Sequence, residues 1–354
     1  MKARVLYRTH YQVEEPAYME LLVKRCTSPV QAAYADVVSK KLAHEVSSRG
    51  RRFNISAAGY ALDLAHGLGV LNENNTWTDK GHLLALNARI GDGDIERELL
   101  LDLTERLTHF RLFLEADGAA LMHIARIALT RAQIPADHDW NSFSRTMFRD
   151  IYAAYLTATA DIADRLALRR DLERFTIAFA GKTGTHKSYI HLQTMFRMGL
   201  LQRSQTASQR VYELAESAAE GLEALLDLIP TVAALEEVIE KGLWSKVAAA
   251  VFHRGRGREV TRRELRHSIA SVYRRVSETG VPLCSITTLI DAEQIQLMTS
   301  GFRLLSNAEL LDVLNVLQKD RPEDVRFHVD RRGRLAFVKM SEQLTEQLLA
   351  GASL

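Results

Sequence analysis

Apolar and polar positions along the chain follow helical spacing over most of its length and alternate only in short stretches. Residues 1–15 alternate, with Val5 and Tyr7 against Arg4 and Arg8, and predict a short strand or arm. From Ala17 to Ser47, Leu21, Leu22, Val30, Ala33, Tyr34, Val37, Val38 and Leu42 fit two helices broken near Pro29. A further helix ends at His66-Gly67, after which Val70-Leu71 and Thr76-Trp77 read as a small hairpin around Glu73, Asn74 and Asn75. Long helical patterns follow, through Leu99, Leu103, Leu107, Phe110 and Leu114, then Met147, Ile151, Tyr155, Ile162 and Leu166, with a break at Ile134-Pro-Ala-Asp137. Helices over Asp171–Ala180 and Ser188–Met198 precede strands near Leu200–Arg203 and Arg210–Leu214. Towards the C-terminus, helices are expected over Thr261–Thr279 and Ser285–Thr299. The Ser306/Glu309 spacing of a capping box opens another, and strands Val325–Val329 and Leu335–Lys339 flank a polar turn.

One order therefore recurs. An apolar helix ends in Gly-Leu, and a strand, a polar tip, a second strand and a polar restart follow, from Tyr60 to Gly81 and again from Tyr189 to Leu214, with a looser third copy at the C-terminal hairpin. This order resembles the winged-helix superfamily, helix-turn-helix variants that carry a β-hairpin wing. The resemblance covers about half the chain. It implies a mainly α fold of several winged-helix units, commonly used for DNA binding and sometimes for protein assembly. The expected organisation is an N-terminal winged-helix unit over 1–92 and a helical connector over 93–170. A second unit with trailing helices spans 171–250, and a basic linker with a C-terminal winged-helix-like unit spans 251–354.

Helical phase tests which copy could meet a duplex, since a recognition helix must turn donors rather than carboxylates outward. In the second copy Tyr189, Leu192, Met195 and Phe196 share an inner face, which predicts Lys187, His191, Thr194 and Arg197 on the outer one. His186 and Lys187 lie at the helix start, where backbone N–H groups favour a phosphate, Lys182 in the preceding Gly/Thr turn is a further candidate, and the wing adds Arg203 and Arg210. The first copy is expected to expose Leu62, Asp63 and His66, which suits a protein contact better, although Arg49, Arg51 and Arg52 could grip phosphates. In the third, Leu310, Leu314 and Leu317 face inward and Glu309, Asp312, Asn315 and Lys319 outward, while the wing carries Arg331, Arg332 and Arg334.

Charge sharpens this picture. The 354 residues carry 46 Lys and Arg against 44 Asp and Glu, so affinity for a polyanion must come from local patches. The densest patch holds Arg254, Arg256 and Arg258 on glycine spacers that predict a flexible linker, continued by Arg262, Arg263 and Arg266. Two distant cysteines and the lack of an apolar leader or spanning run point to a cytoplasmic chain with no membrane partner.

Catalytic signals are weak. Gly181 to Ser188 matches a phosphate-binding loop except that His186 replaces the second glycine, which a curled loop needs. Asp137, His138 and Asp139, with His109 or His123, lack ligand spacing for a metal. The reading is a non-catalytic protein without cofactor or metal that binds duplex DNA as a regulator or as the DNA-binding part of a complex, as a homodimer or within a larger assembly. The alternative is a structural subunit of a DNA-processing or defence complex whose winged helices grip proteins.

Overall fold

A computed structural model of the chain describes residues 2–6, 62–87, 101–131, 133–135, 140–179, 187–205, 210–278 and 283–351. The helices expected over 17–47, Tyr60, the arginines at 49–52, Lys182, His186 and the Asp137–Asp139 cluster lie outside them. The fold is mainly helical with small antiparallel sheets. Helical residues 62–67 and the Leu71–Trp77 bridge lead into α1 (Asp79–Asn87). Then come α2 (Leu103–Thr130), β1 (Ile134–Pro135), α3 (Trp140–Ala158), α4 (Ile162–Phe179), α5 (Lys187–Arg197), β2 (Leu201–Gln205) and β3 (Arg210–Leu214). Three helices, α6 (Ala219–Leu228), α7 (Val232–Glu240) and α8 (Trp244–Val251), follow. The C-terminal part consists of α9 (Arg262–Glu278), β4 (Cys284–Ser285), α10 (Ile286–Thr299), α11 (Asn307–Asp320), β5 (Val325–Val329), β6 (Leu335–Met340) and α12 (Glu342–Leu349).

The two sheets share one plan. A lone strand pairs with the second strand of a later hairpin, giving the orders β1-β3-β2 and β4-β6-β5, antiparallel throughout. Ile134 pairs with Tyr212 and Pro135 with Val211, so a strand from the expected connector completes the middle sheet. The boundary expected at 170/171 falls inside α4. Connector and second unit therefore share one core.

The centre of that core is a break in α2. The helix starts from a reciprocal cap, Asp102 and Glu105 each accepting from the other's N–H at 3.0 Å. Asp117 then leaves helical geometry at φ −137° and ψ 17°. The break frees the Glu115 carbonyl and the Ala119 N–H, and Arg4 takes both. Its Nη1 donates to the Glu115 carbonyl at 3.3 Å, and its own carbonyl accepts from Ala119 at 3.1 Å. The Arg4 guanidinium also forks onto Glu236 of α7, and the Tyr155 hydroxyl of α3 donates to Glu236 at 3.0 Å while accepting from the Arg4 N–H at 3.1 Å. Asp117 meanwhile accepts from the Leu6 N–H at 2.8 Å and meets His191 Nδ1 at 2.7 Å. Gly118 allows close packing here, since a Cβ would lie 2.9 Å from Leu235.

A second polar chain joins α1, α2, α8 and α10. Lys80 and Arg111 both pair with Glu115, Arg111 Nε reaches Asp291 at 3.1 Å, and Trp244 Nε1 donates to Asp291 at 2.8 Å. Burial pushes the Asp291 carboxyl up, with Arg111 and Trp244 pulling the other way. For Glu115 the balance reverses: burial opposes ionisation, but Lys80 and Arg111 hold the carboxyl below its usual range. Helix α10 is buried almost all round, including Glu293, whose two carboxyl oxygens have no hydrogen bond of normal geometry among the described residues. Burial raises that carboxyl to about 7, and the Ser268 hydroxyl offsets only part of the shift.

Two expectations follow. Asp117→Ala strips the Leu6 N–H and His191 of their acceptor and should cost about 3 kcal/mol, read as a lower midpoint in urea unfolding. An unchanged midpoint would contradict the role given to the break. Glu293 titrates higher folded than unfolded, so the folded state loses stability as pH rises from about 4 to about 7. Glu293→Gln should remove that slope and be more stable than wild type by about 3 kcal/mol at pH 8; parallel pH–stability curves would refute this.

Candidate nucleic-acid interface

The middle copy differs most from its expected surface. Residues 191–198 of and just after α5 are all buried, including His191, Gln193, Thr194 and Arg197. The outward phase expected for His191, Thr194 and Arg197 is thus corrected. His191 and Asp117 are each 1% exposed and bonded to one another, so the imidazole is committed to the α2 break. Gln193 accepts from the Tyr212 hydroxyl of β3 at 2.6 Å. The Arg197 carbonyl accepts from the Leu101 N–H at 3.2 Å, and its guanidinium carbon lies 5.9 Å from the Phe196 ring centre. Residues 191–197 of α5 are encased by α2, α3 and the following hairpin, and their side chains cannot reach base edges. One signal pointed this way: Ser188 to Phe196 contains no charged residue, although a solvated helix face normally carries Lys or Glu.

Of the other residues assigned to this copy, Lys187 opens α5 and Arg210 opens β3. Arg203 is exposed, with its guanidinium carbon 5.3 Å from the Phe196 ring centre, so it also covers core. In the first copy Asp63 is exposed as expected, but Leu62 is half-buried against the core, and His66 bonds Asn75 Oδ1 at 2.7 Å.

The basic segment at 253–266 is ordered by backbone and carboxylates. Its glycines serve close approach rather than flexibility: a Cβ on Gly257 would fall 1.8 Å from the Gly301 carbonyl oxygen. Leu304 N–H donates to Gly255 and Arg303 N–H to Arg258, fixing the segment beside the Ser306 cap of α11. Arg258 forks onto Glu264 and stacks 4.4 Å from the Phe302 ring centre. Its hydrogen bonds, with those from the Thr261 N–H and hydroxyl, hold the Glu264 carboxyl down at about 2. Arg262 lies 3.9 Å from Asp320, which also pairs with Arg266 at 3.0 Å. Arg254, Arg256 and Arg263 are exposed and have no carboxylate partner among the described residues.

The C-terminal hairpin presents its arginines on a preformed turn. Asp330 accepts from the Arg332 and Arg334 N–H groups at 2.8 and 2.9 Å, and Gly333 adopts φ +75°. These bonds, led by that from the Arg334 N–H, hold the Asp330 carboxyl below its usual range. Arg334 also meets Asp330 through Nε at 3.2 Å, whereas Arg331 and Arg332 are exposed without an ion pair among the described residues. On α11, Leu310, Leu314 and Leu317 are buried and Glu309, Asp312, Asn315 and Lys319 exposed, which is the phase expected. Arg303 pairs with Glu309 at 3.1 Å and with Glu259.

The histidines weighed as ligands belong to α2. His109 is buried and stacked on Phe113, and His123 lines a cavity of about 350 Å³ with Arg126 and Asp150. Burial lowers the His123 pKa. Among the described residues no three His, Cys, Asp or Glu side chains come close enough to share an ion, and no helix is long and apolar enough to cross a membrane.

Diethyl pyrocarbonate should therefore modify exposed His253 in the folded chain and leave His191 unmodified until denaturant is added, read by peptide mass spectrometry. Rapid labelling of His191 in native buffer would contradict its burial. No family model matches the chain, and no curated protein or solved structure matches it either.

Proposed function

We propose that the chain is a non-catalytic DNA-binding protein of repeated winged-helix units whose duplex contact lies in the C-terminal part. The observation that carries this reading is the set of exposed guanidiniums without carboxylate partners among the described residues. These are Arg331 and Arg332 on the hairpin tip, and Arg254, Arg256 and Arg263 around the segment that packs beside the start of α11. The order α9-β4-α10-α11-β5-β6, with strand order β4-β6-β5, supports reading the β5–β6 hairpin as a wing. Arginines there fit a narrow minor groove or straddle phosphates. Helix α5 has no such part in this reading and acts as a structural pillar. The work done is binding and positioning, with affinity arising from counterion release.

A second reading, a structural subunit that grips protein, is favoured by the outward face of α11. There Asp312 is exposed, Glu309 is only partly neutralised by Arg303, and Val316 is 37% exposed. Carboxylates at that position repel a duplex and suit a basic protein surface.

Binding of a random-sequence duplex, followed by fluorescence anisotropy between about 50 and 200 mM salt, separates the two. We expect a log–log salt slope that falls by about 2 in Arg331→Ala/Arg332→Ala and by a similar amount in Arg254→Ala/Arg256→Ala. No binding at low salt would favour the protein-gripping subunit. Unchanged slopes in both double variants would remove the C-terminal assignment.

A further inference from the structure

We propose that the outer face of α4 is the seat of a two-fold homodimer. Helix α4 buries one side only: Leu168 is buried, Leu172 is half-buried, and Phe175 packs on Phe148 and Tyr152 of α3 with ring centres 5.4 and 5.6 Å apart. On the opposite side, at intervals of four, four, three and four residues, stand Ile162, Leu166, Arg170, Glu173 and Ile177. These positions share one helical stripe. Ile162 is 74% exposed, Leu166 48% and Ile177 76%, so three large apolar side chains lie on a face that an isolated surface helix would make polar.

The occupant follows from charge complementarity. Two copies of α4 packed antiparallel about an axis between residues 171 and 172 place Leu166 opposite the second copy's Ile177, and Arg170 opposite its Glu173. Symmetry repeats both pairs, as an isologous interface requires. Arg170 and Glu173 are exposed and carry no ion pair among the described residues, so both are free for a partner. The competing register, with Ile162 opposite Ile177, sets Glu173 against Leu166 and so loses the Arg170–Glu173 pair. At about 27 Å, α4 alone buries less than a standard interface, which implies a dimer dissociating in the micromolar range. This inference is independent of DNA binding.

The test is sedimentation equilibrium of the full chain, with circular dichroism confirming that each variant is folded. Wild type should pass from monomer to dimer as concentration rises through the micromolar range. Arg170→Glu and Glu173→Arg should each weaken dimerisation at least tenfold by placing like charges across the axis. The swap Arg170→Glu/Glu173→Arg should restore it, and an equimolar mixture of the two single variants should form a heterodimer. A wild type that stays monomeric to about 100 µM overturns the proposal. So does a folded swap variant that remains as monomeric as the single changes, because a partner of another kind would not be rescued by a swap within this chain.

Discussion

The break at Asp117 is the constraint on which the arrangement of the chain rests. A helix of 28 residues that ran straight would satisfy its own backbone and offer nothing to its neighbours. By leaving helical geometry there, α2 frees a carbonyl and an N–H, both of which must find partners in a dry interior. Arg4 supplies them from more than 100 residues away in sequence, and its guanidinium carries the link on to Glu236. The Asp117 carboxylate spends its two oxygens on the same N-terminal segment and on His191. One irregular residue thus fixes residues 3–6, α3, α5 and α7. Such groups are costly to desolvate, and in this packing the Glu115 carbonyl, the Ala119 N–H and the Asp117 carboxylate all find partners.

From this constraint comes a division of labour between two similar halves. Both have a lone strand, intervening helices and a hairpin, with the lone strand against the second hairpin strand. In the middle half residues 191–197 of the helix before the hairpin belong to the core, with His191 held by Asp117 and Gln193 by Tyr212. In the C-terminal half the corresponding helix, α11, buries only a Leu310, Leu314 and Leu317 stripe and leaves the rest in solvent. The same topology therefore yields an interior pillar in one place and a surface element in the other. There Arg331 and Arg332 of the hairpin and Arg254, Arg256 and Arg263 nearby are exposed without a carboxylate partner among the described residues, which supports the proposal of nucleic-acid contact in that half.

How far the sequence reveals this depends on whether a signal is local. In the C-terminal part α9, α10, α11, β5 and β6 were legible to within a residue or two, whereas β4 and α12 were not read from the sequence. The Ser306–Glu309 capping box, the leucine stripe of α11 and the Asp330–Gly333 turn all act within a few positions. The face of α5 was not legible, because a polar residue satisfied by a distant partner looks like one satisfied by water. His191 lies 74 residues from Asp117 and Gln193 lies 19 from Tyr212. Glycine spacers between arginines likewise suggest flexibility, yet Gly257 exists because a Cβ would strike the Gly301 carbonyl. The contribution of β1 to the middle sheet was hidden for a related reason. Two residues, one of them proline, give no alternation to detect.

Hydrogen–deuterium exchange of the full chain, with and without random-sequence duplex at low salt, tests the central claim most directly. Amides of 191–198 should already exchange as slowly in the free chain as those of 110–125 in α2, and duplex should leave them unchanged while slowing exchange at 253–258 and 330–334. Fast exchange across 191–198 in the free chain, with protection there on adding duplex, would return α5 to the surface and contradict the account.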